Sequence, residues 1–214
     1  MQARRELAQH VPVRDVPARI VPGMVLGAML ALLCCQSVSA NGPAAVPGIS
    51  GHFALDSPDG RKVTDATYRG KWLVVYFGYT SCPDICPTVI LRIGQALDSL
   101  GSVADRIQPI FITVDPARDT PQRLAQYMAS FNPRVVGLRG DPQETKEAAR
   151  QFHVYYRMRS LGEGEYSVDH SSFLYVVNPE GQFTKLLADS LPADQLAAAL
   201  AALMRQEQTR KAHR

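Results

Sequence analysis

Cysteine is scarce in this chain, with four in 214 residues. That excludes a small secreted scaffold held by disulfides, because such scaffolds are dense in cysteine. With 46% hydrophobic residues, a packed core needs no staples. Charge of one sign is scarce as well. The formal net charge is +3, and no basic run is interleaved with aromatics, so nucleic acid is not an expected partner. No internal repeat is visible. The apolar run of residues 20–35, about 16 long, falls short of the roughly 20 residues of a comfortable membrane span. Proline is missing between Glu165 and Val177, an absence that matters below.

The first forty residues read as an address. Arg4, Arg5, Arg14 and Arg19 precede the apolar run, and Val38-Ser39-Ala40 follows it with small residues at its last two positions. That order fits an export signal with a cleavage site after Ala40. Glu6 and Asp15 count against a mitochondrial transit peptide, so a bacterial export signal is preferred. Residues 1–40 are thus expected to be an export signal or a membrane anchor. The arginines place the N-terminal end in the cytoplasm and the rest on the periplasmic face. Cys34 and Cys35 fall inside this segment as small apolar filler, which leaves Cys82 and Cys86 for the exported domain. Residues 41–48, rich in Gly, Pro and Ala, read as a linker, residues 49–205 as one domain, and residues 206–214 as a basic, fraying tail.

Within the domain, strands and helices alternate. The run Trp72-Leu73-Val74-Val75-Tyr76-Phe77 reads as a buried strand. Cys82 and Cys86 follow it, and then Pro87 opens a helix whose apolar positions continue at Ile93, Leu97 and Leu100. Residues 107–114 form a second buried strand. It ends in the polar loop Asp115-Pro116-Ala117-Arg118-Asp119, after which Thr120 and Pro121 start a helix. Residues 135–138 are a short strand, and Asp141 with Glu144 has the form of a capping box. Residues 154–158 and 173–177 are further strands, the latter with residues 182–187 as hairpin partner. A last helix runs through Leu196, Leu200 and Leu203. This order predicts an α/β fold, a mixed central sheet with helices on both faces, of thioredoxin-like architecture.

Both sulfurs lie where a strand ends and a helix begins, a place that favours thiolates. Thiolates exchange with disulfides or bind soft metals. Val168-Asp169-His170-Ser171-Ser172, expected as a loop, precedes the penultimate strand, where thiol oxidoreductases of this architecture carry a cis-proline. Here an imidazole stands instead. Taken alone, His170 reads as an ordinary hydrogen-bonded histidine. Beside two thiolates it completes a set suited to copper, since thiolates select Cu(I) and the nitrogen tolerates Cu(II). Asp84, between the sulfurs, reads as a tuning or partner-facing carboxylate, or as one bonded to nearby N–H groups. By themselves, Asp115, Arg118 and Asp119 read as a helix-entry loop with self-paired charges. Met128 and Met158 read as core filler, and His52, His153 and His213 as non-ligands.

Three blocks carry a resemblance: Gly78-Tyr79-Thr80-x-Cys82-Pro83-Asp84-x-Cys86-Pro87, Asp115-Pro116-x-Arg118-Asp119-Thr120-Pro121, and Val168-Asp169-His170-Ser171. In this order they resemble the Sco (SenC) proteins, copper-binding assembly factors for cytochrome c oxidase. The similarity spans residues 49–203. It implies a membrane-tethered thioredoxin-like domain with Cys82, Cys86 and His170 as copper ligands. The CuA centre of oxidase subunit II would receive the ion, and Asp84, Asp115, Arg118, Asp119 and Asp169 would support the site or dock a partner. Other periplasmic copper chaperones and thiol reductants are further expected partners.

Two function classes compete. One is a metallochaperone that is not itself an enzyme, and this is the favoured reading. The other is a thiol–disulfide oxidoreductase or peroxidase-like enzyme using the same cysteines. They part at His170, which a reductase does not need. A permanent structural disulfide is the bland third.

Overall fold

The computed structural model describes residues 48–213. The expected export segment and all of the linker but residue 48 lie outside the described residues. Among the described residues, no helix is long and apolar enough to cross a membrane.

A five-stranded sheet positions the site. β3 (Trp72–Gly78) lies at its centre, because every one of its residues is apolar or glycine and both faces of the strand are covered. β4 (Ile107–Thr113) and β5 (Val136–Leu138) run parallel to it on one side; β8 (Phe173–Val177) and β9 (Phe183–Ala188) lie on the other, each antiparallel to its neighbour. The sheet is therefore mixed, as expected. Two separate ribbons flank it: β1 (Ala54–Asp56) with β2 (Lys62–Thr64), and β6 (Tyr156–Gly162) with β7 (Glu165–His170).

Period-2 alternation sends successive β3 side chains to opposite faces. On one face, Tyr76 meets Phe111 of β4 and the Cys86 thiol of α1 (Ile85–Leu100); Phe111 in turn meets Tyr127 of α2 (Pro121–Met128). On the other, Phe77 and Tyr175 enclose Phe152, the residue after α3 (Pro142–Gln151), with ring centroids 5.3–5.9 Å apart. Helices thus cover both faces. α4 (Ala193–Ala212) packs along α1.

The helix starts follow local chemistry. Thr120 accepts a hydrogen bond from the Arg123 N–H, with Pro121 at the first helical position. The Asp141 carboxylate accepts from the Gln143 and Glu144 N–H groups while Glu144 accepts from the Asp141 N–H, the reciprocal pairing expected. α1 begins two residues earlier than Pro87, at Ile85, so Cys86 sits within its first turn.

Three expectations need correction. Residues 168–170, expected as part of a loop over residues 168–172, end strand β7, and the strand expected over residues 154–158 runs from Tyr156 to Gly162. The expected tail is helical through residue 212: it extends α4 and is exposed apart from the half-buried Glu207, with Lys211 paired to Glu180 and Arg210 to Glu207. Met158 is half exposed rather than core.

Phe152 is fully buried between two aromatic rings. Phe152→Ala is expected to lower stability by about 3–5 kcal/mol, read as a fall in the urea midpoint with the slope unchanged.

Candidate metal centre

Cys82 lies half-buried in the segment between β3 and α1, and Cys86 is buried in the first turn of α1. Both thiols are free. A helix start has N–H groups without partners. One is used here: the Cys86 N–H points at the Cys82 sulfur, 3.4 Å away. The Cys86 thiol and the N–H groups of Cys86 and Asp84 stabilise an anion on Cys82, and the thiol there is pulled down to about 5. Cys86 is pushed the opposite way, first because its proton is held by the Cys82 sulfur and second by burial. The outer sulfur is therefore the thiolate, and the inner one keeps the proton.

The backbone makes room for the inner sulfur. A Cβ built on Gly78 would stand 3.0 Å from the Cys86 Sγ and 2.8 Å from the Phe111 ring. Any side chain at the end of β3 would push one of them aside.

His170 is the last residue of β7. Its Nδ1 lies 3.0 Å from the Ser171 carbonyl oxygen. A carbonyl only accepts, so Nδ1 carries the proton and the neutral ring keeps its lone pair on Nε2. That Nε2 lies 3.7 Å from the Cys86 Sγ. The ring is held edge-on by Tyr76 and Tyr79, with centroids 6.2 and 6.1 Å away. The Tyr76 hydroxyl approaches the same sulfur at 3.7 Å, and burial pushes that phenol well up.

The donor set fits a soft ion in type and spacing. In zinc sites, bonds of about 2.3 Å to sulfur and 2.0 Å to nitrogen keep two donors of one ion within about 4.3 Å of each other, and the Cys86 Sγ and His170 Nε2 stand within that reach at 3.7 Å. As the side chains stand, no three His, Cys, Asp or Glu among the described residues close into a finished metal cage. The arrangement is a buried sulfur facing an imidazole, with a half-exposed thiolate four residues away.

The other expected residues divide. Asp119 is fully buried, and its carboxylate accepts from the Thr80 N–H at 3.0 Å and from the hydroxyls of Thr80 and Thr113. It ties the cysteine loop to the end of β4. Asp115, also fully buried, pairs with Arg118 and accepts from the Tyr166 hydroxyl at 2.9 Å. The expected self-pairing of this loop is present, and the loop also reaches both halves of the site. Asp84 is exposed at the start of α1 and its carboxylate caps nothing. Asp169 lies on the solvent side of its ribbon, 3.8 Å from Arg159, and is not brought to the sulfurs. Nor are His52, which pairs with Asp65, His153 or His213.

Arg123 and Tyr166 were not named by sequence reasoning, and Tyr76, Tyr79 and Thr80 were named only as strand or motif positions, not as parts of the site. Arg123 donates to the hydroxyls of Thr80 and Ser81, both at 2.9 Å. The signal for Tyr166 was available. Tyr166, Val168 and His170 alternate, as residues on one strand face must.

A lowered thiol pKa means thiolate above that value, and alkylation follows the thiolate. Iodoacetamide is therefore expected to label Cys82 at a rate that rises tenfold per pH step below about 5 and levels off above about 6. Cys86 is expected to stay unlabelled through pH 9. Peptide mapping across a pH series checks both.

The chain resembles known proteins along most of the described residues. The sequence model of the SCO1/SenC family matches residues 42–205. Protein sco1 of Schizosaccharomyces pombe is 40% identical over 158 residues, covering 72% of this chain and 60% of that protein. The chain spans little more than half the length of the curated relatives it matches. Among solved structures, Arabidopsis thaliana ScoI with copper bound is 39% identical, with a TM-score of 0.70, covering 74% of this chain and 99% of that one. Bradyrhizobium japonicum ScoI with copper bound is 37% identical, with a TM-score of 0.67, covering 72% and 98%. The chain belongs to the SCO1/SenC family.

Proposed function

We propose that this protein is a copper metallochaperone. It holds one copper ion on Cys82, Cys86 and His170 and passes it to the CuA site of cytochrome c oxidase subunit II. The observation that carries this reading is the Nε2 lone pair of His170 facing the buried Cys86 sulfur at 3.7 Å. A thiol reductase has no use for that nitrogen. The copper in the two solved relatives supports the choice of metal. So does the donor chemistry: thiolates select Cu(I), and the imidazole extends the set to Cu(II).

The copper ion is cargo. Cys82 supplies a thiolate at neutral pH, so binding displaces a proton from Cys86 alone. The half-exposed Cys82 is the donor an acceptor ligand reaches first. Transfer then proceeds by exchange of one ligand at a time.

The same sulfurs have a companion role. Oxidation of the Cys82 thiolate and the Cys86 thiol to a disulfide releases two electrons and one proton. A disulfide in the CuA site of subunit II takes up the two electrons and that proton and becomes a thiol and a thiolate ready for metal. The free, half-exposed Cys82 thiolate favours this exchange. Residues 1–40 export the chain across the bacterial inner membrane and either anchor it or are removed after Ala40. The domain then works on the periplasmic face with other copper chaperones and thiol reductants.

His170→Ala is expected to weaken copper binding at least tenfold, about 1.4 kcal/mol, and to leave the redox potential of the cysteines nearly unchanged. Anaerobic Cu(I) competition against a chromophoric chelator, beside a glutathione redox titration, measures both. Equal copper affinity in the two proteins would turn the reading to the reductase.

A further inference from the structure

We propose that Arg118 is a positioning residue for His170: it grips the β6–β7 ribbon at Tyr166 and so sets where the imidazole stands. This rests on the copper-binding reading above and adds to it a residue that touches neither sulfur nor imidazole.

The ribbon that carries His170 shares no ladder bond with the central sheet. Something else must hold its register against the cysteine loop. The Arg118 guanidinium lies 3.7 Å from the centroid of the Tyr166 ring and donates through Nη1 to the Tyr166 carbonyl oxygen at 2.8 Å. Its Nε donates to Asp115, and the other oxygen of Asp115 accepts from the Tyr166 hydroxyl. One arginine and one buried carboxylate thus hold the ring, the hydroxyl and the backbone of a single residue.

That grip is transmitted along the strand. Tyr166 and His170 are four residues apart on β7, on the same face and about 13 Å apart. Ser160 pairs with Tyr166 and Tyr156 with His170, so both ends of that stretch are fixed in one antiparallel ladder. A second path is shorter. Tyr79 lies 5.7 Å from the Arg118 guanidinium and edge-on to the His170 ring.

The base of the grip is fixed as well. Arg139 donates to the carbonyl oxygens of Asp119 and Pro116, and Asp119 holds Thr80, two residues before Cys82. Residues 115–119 therefore grip the histidine ribbon with one carboxylate and the cysteine loop with the other. Lysine cannot substitute, because it lacks the planar fork that stacks on a ring while donating at its edge.

A double-mutant cycle on the full chain tests this. Cu(I) affinity is measured for the parent, Arg118→Ala, His170→Ala and the double variant, with Arg118→Lys beside them. Arg118→Ala is expected to lose at least fivefold in affinity alone and less than twofold more in the His170→Ala background. Arg118→Lys is expected to lose nearly as much as Arg118→Ala, and in Cu(II)-loaded samples both are expected to weaken the nitrogen hyperfine signal. Labelling of Cys82 by iodoacetamide should stay at the parent rate, which confirms that the cysteine loop is intact. An Arg118→Ala loss of equal size with and without His170, or no loss at all, would overturn the proposal. If Arg118→Ala fails to fold, Arg118→Lys decides by the same cycle. Should His170→Ala itself bind copper like the parent, the ligand reading fails, a result distinct from failure of the coupling.

Discussion

A buried carboxylate holds the site together. Asp119 has no exposed surface, and removing a charge from water costs several kcal/mol unless it is fully bonded. Three donors offset that cost here: the Thr80 N–H, the Thr80 hydroxyl and the Thr113 hydroxyl. Hydrogen bonds to a charged group contribute about 1.5–3 kcal/mol each, enough to make the buried anion tolerable. The consequence is geometric. The end of β4 and the start of the cysteine loop are fixed to one point, and the first turn of α1 hangs from that loop. The sulfurs inherit their place from a residue that touches neither of them.

From that fixed point the electrostatics follow. The strand-to-helix junction supplies unpaired N–H groups, and the outer sulfur takes them. The inner sulfur lies beneath β3's terminal glycine, shielded from water and facing an imidazole whose tautomer is set by the next carbonyl. One loop thus presents two sulfurs with opposite proton affinities. The outer thiolate is ready at neutral pH, and the inner thiol gives up its proton only when something stronger than a proton takes its place.

Much of this was legible in the sequence. Apolar runs marked β3 and, past Gln108, β4, because strands covered on both faces carry little polar alternation. Thr120 with Pro121, and Asp141 with Glu144, marked helix starts whose chemistry is local. β7 was not legible. It carries a single aliphatic residue, Val168, and its inward positions are otherwise Tyr166 and His170, which do not read as core. The helical tail was missed for the opposite reason. Its pairing of Lys211 with Glu180 joins residues far apart in the chain, and without that partner a basic end reads as frayed. The grip of Arg118 on Tyr166 is long-range in the same way: spacing alone predicts that Arg118 meets Asp115, and only the fold brings the tyrosine ring beneath it.

The separateness of the β6–β7 ribbon also bears on time. A two-stranded element with no ladder bond to the main sheet detaches by breaking side-chain contacts alone, at a free energy well below that of melting the core. The nitrogen and the sulfurs therefore keep different clocks. Release of the ribbon would move the imidazole and leave the sulfur-bearing scaffold folded throughout.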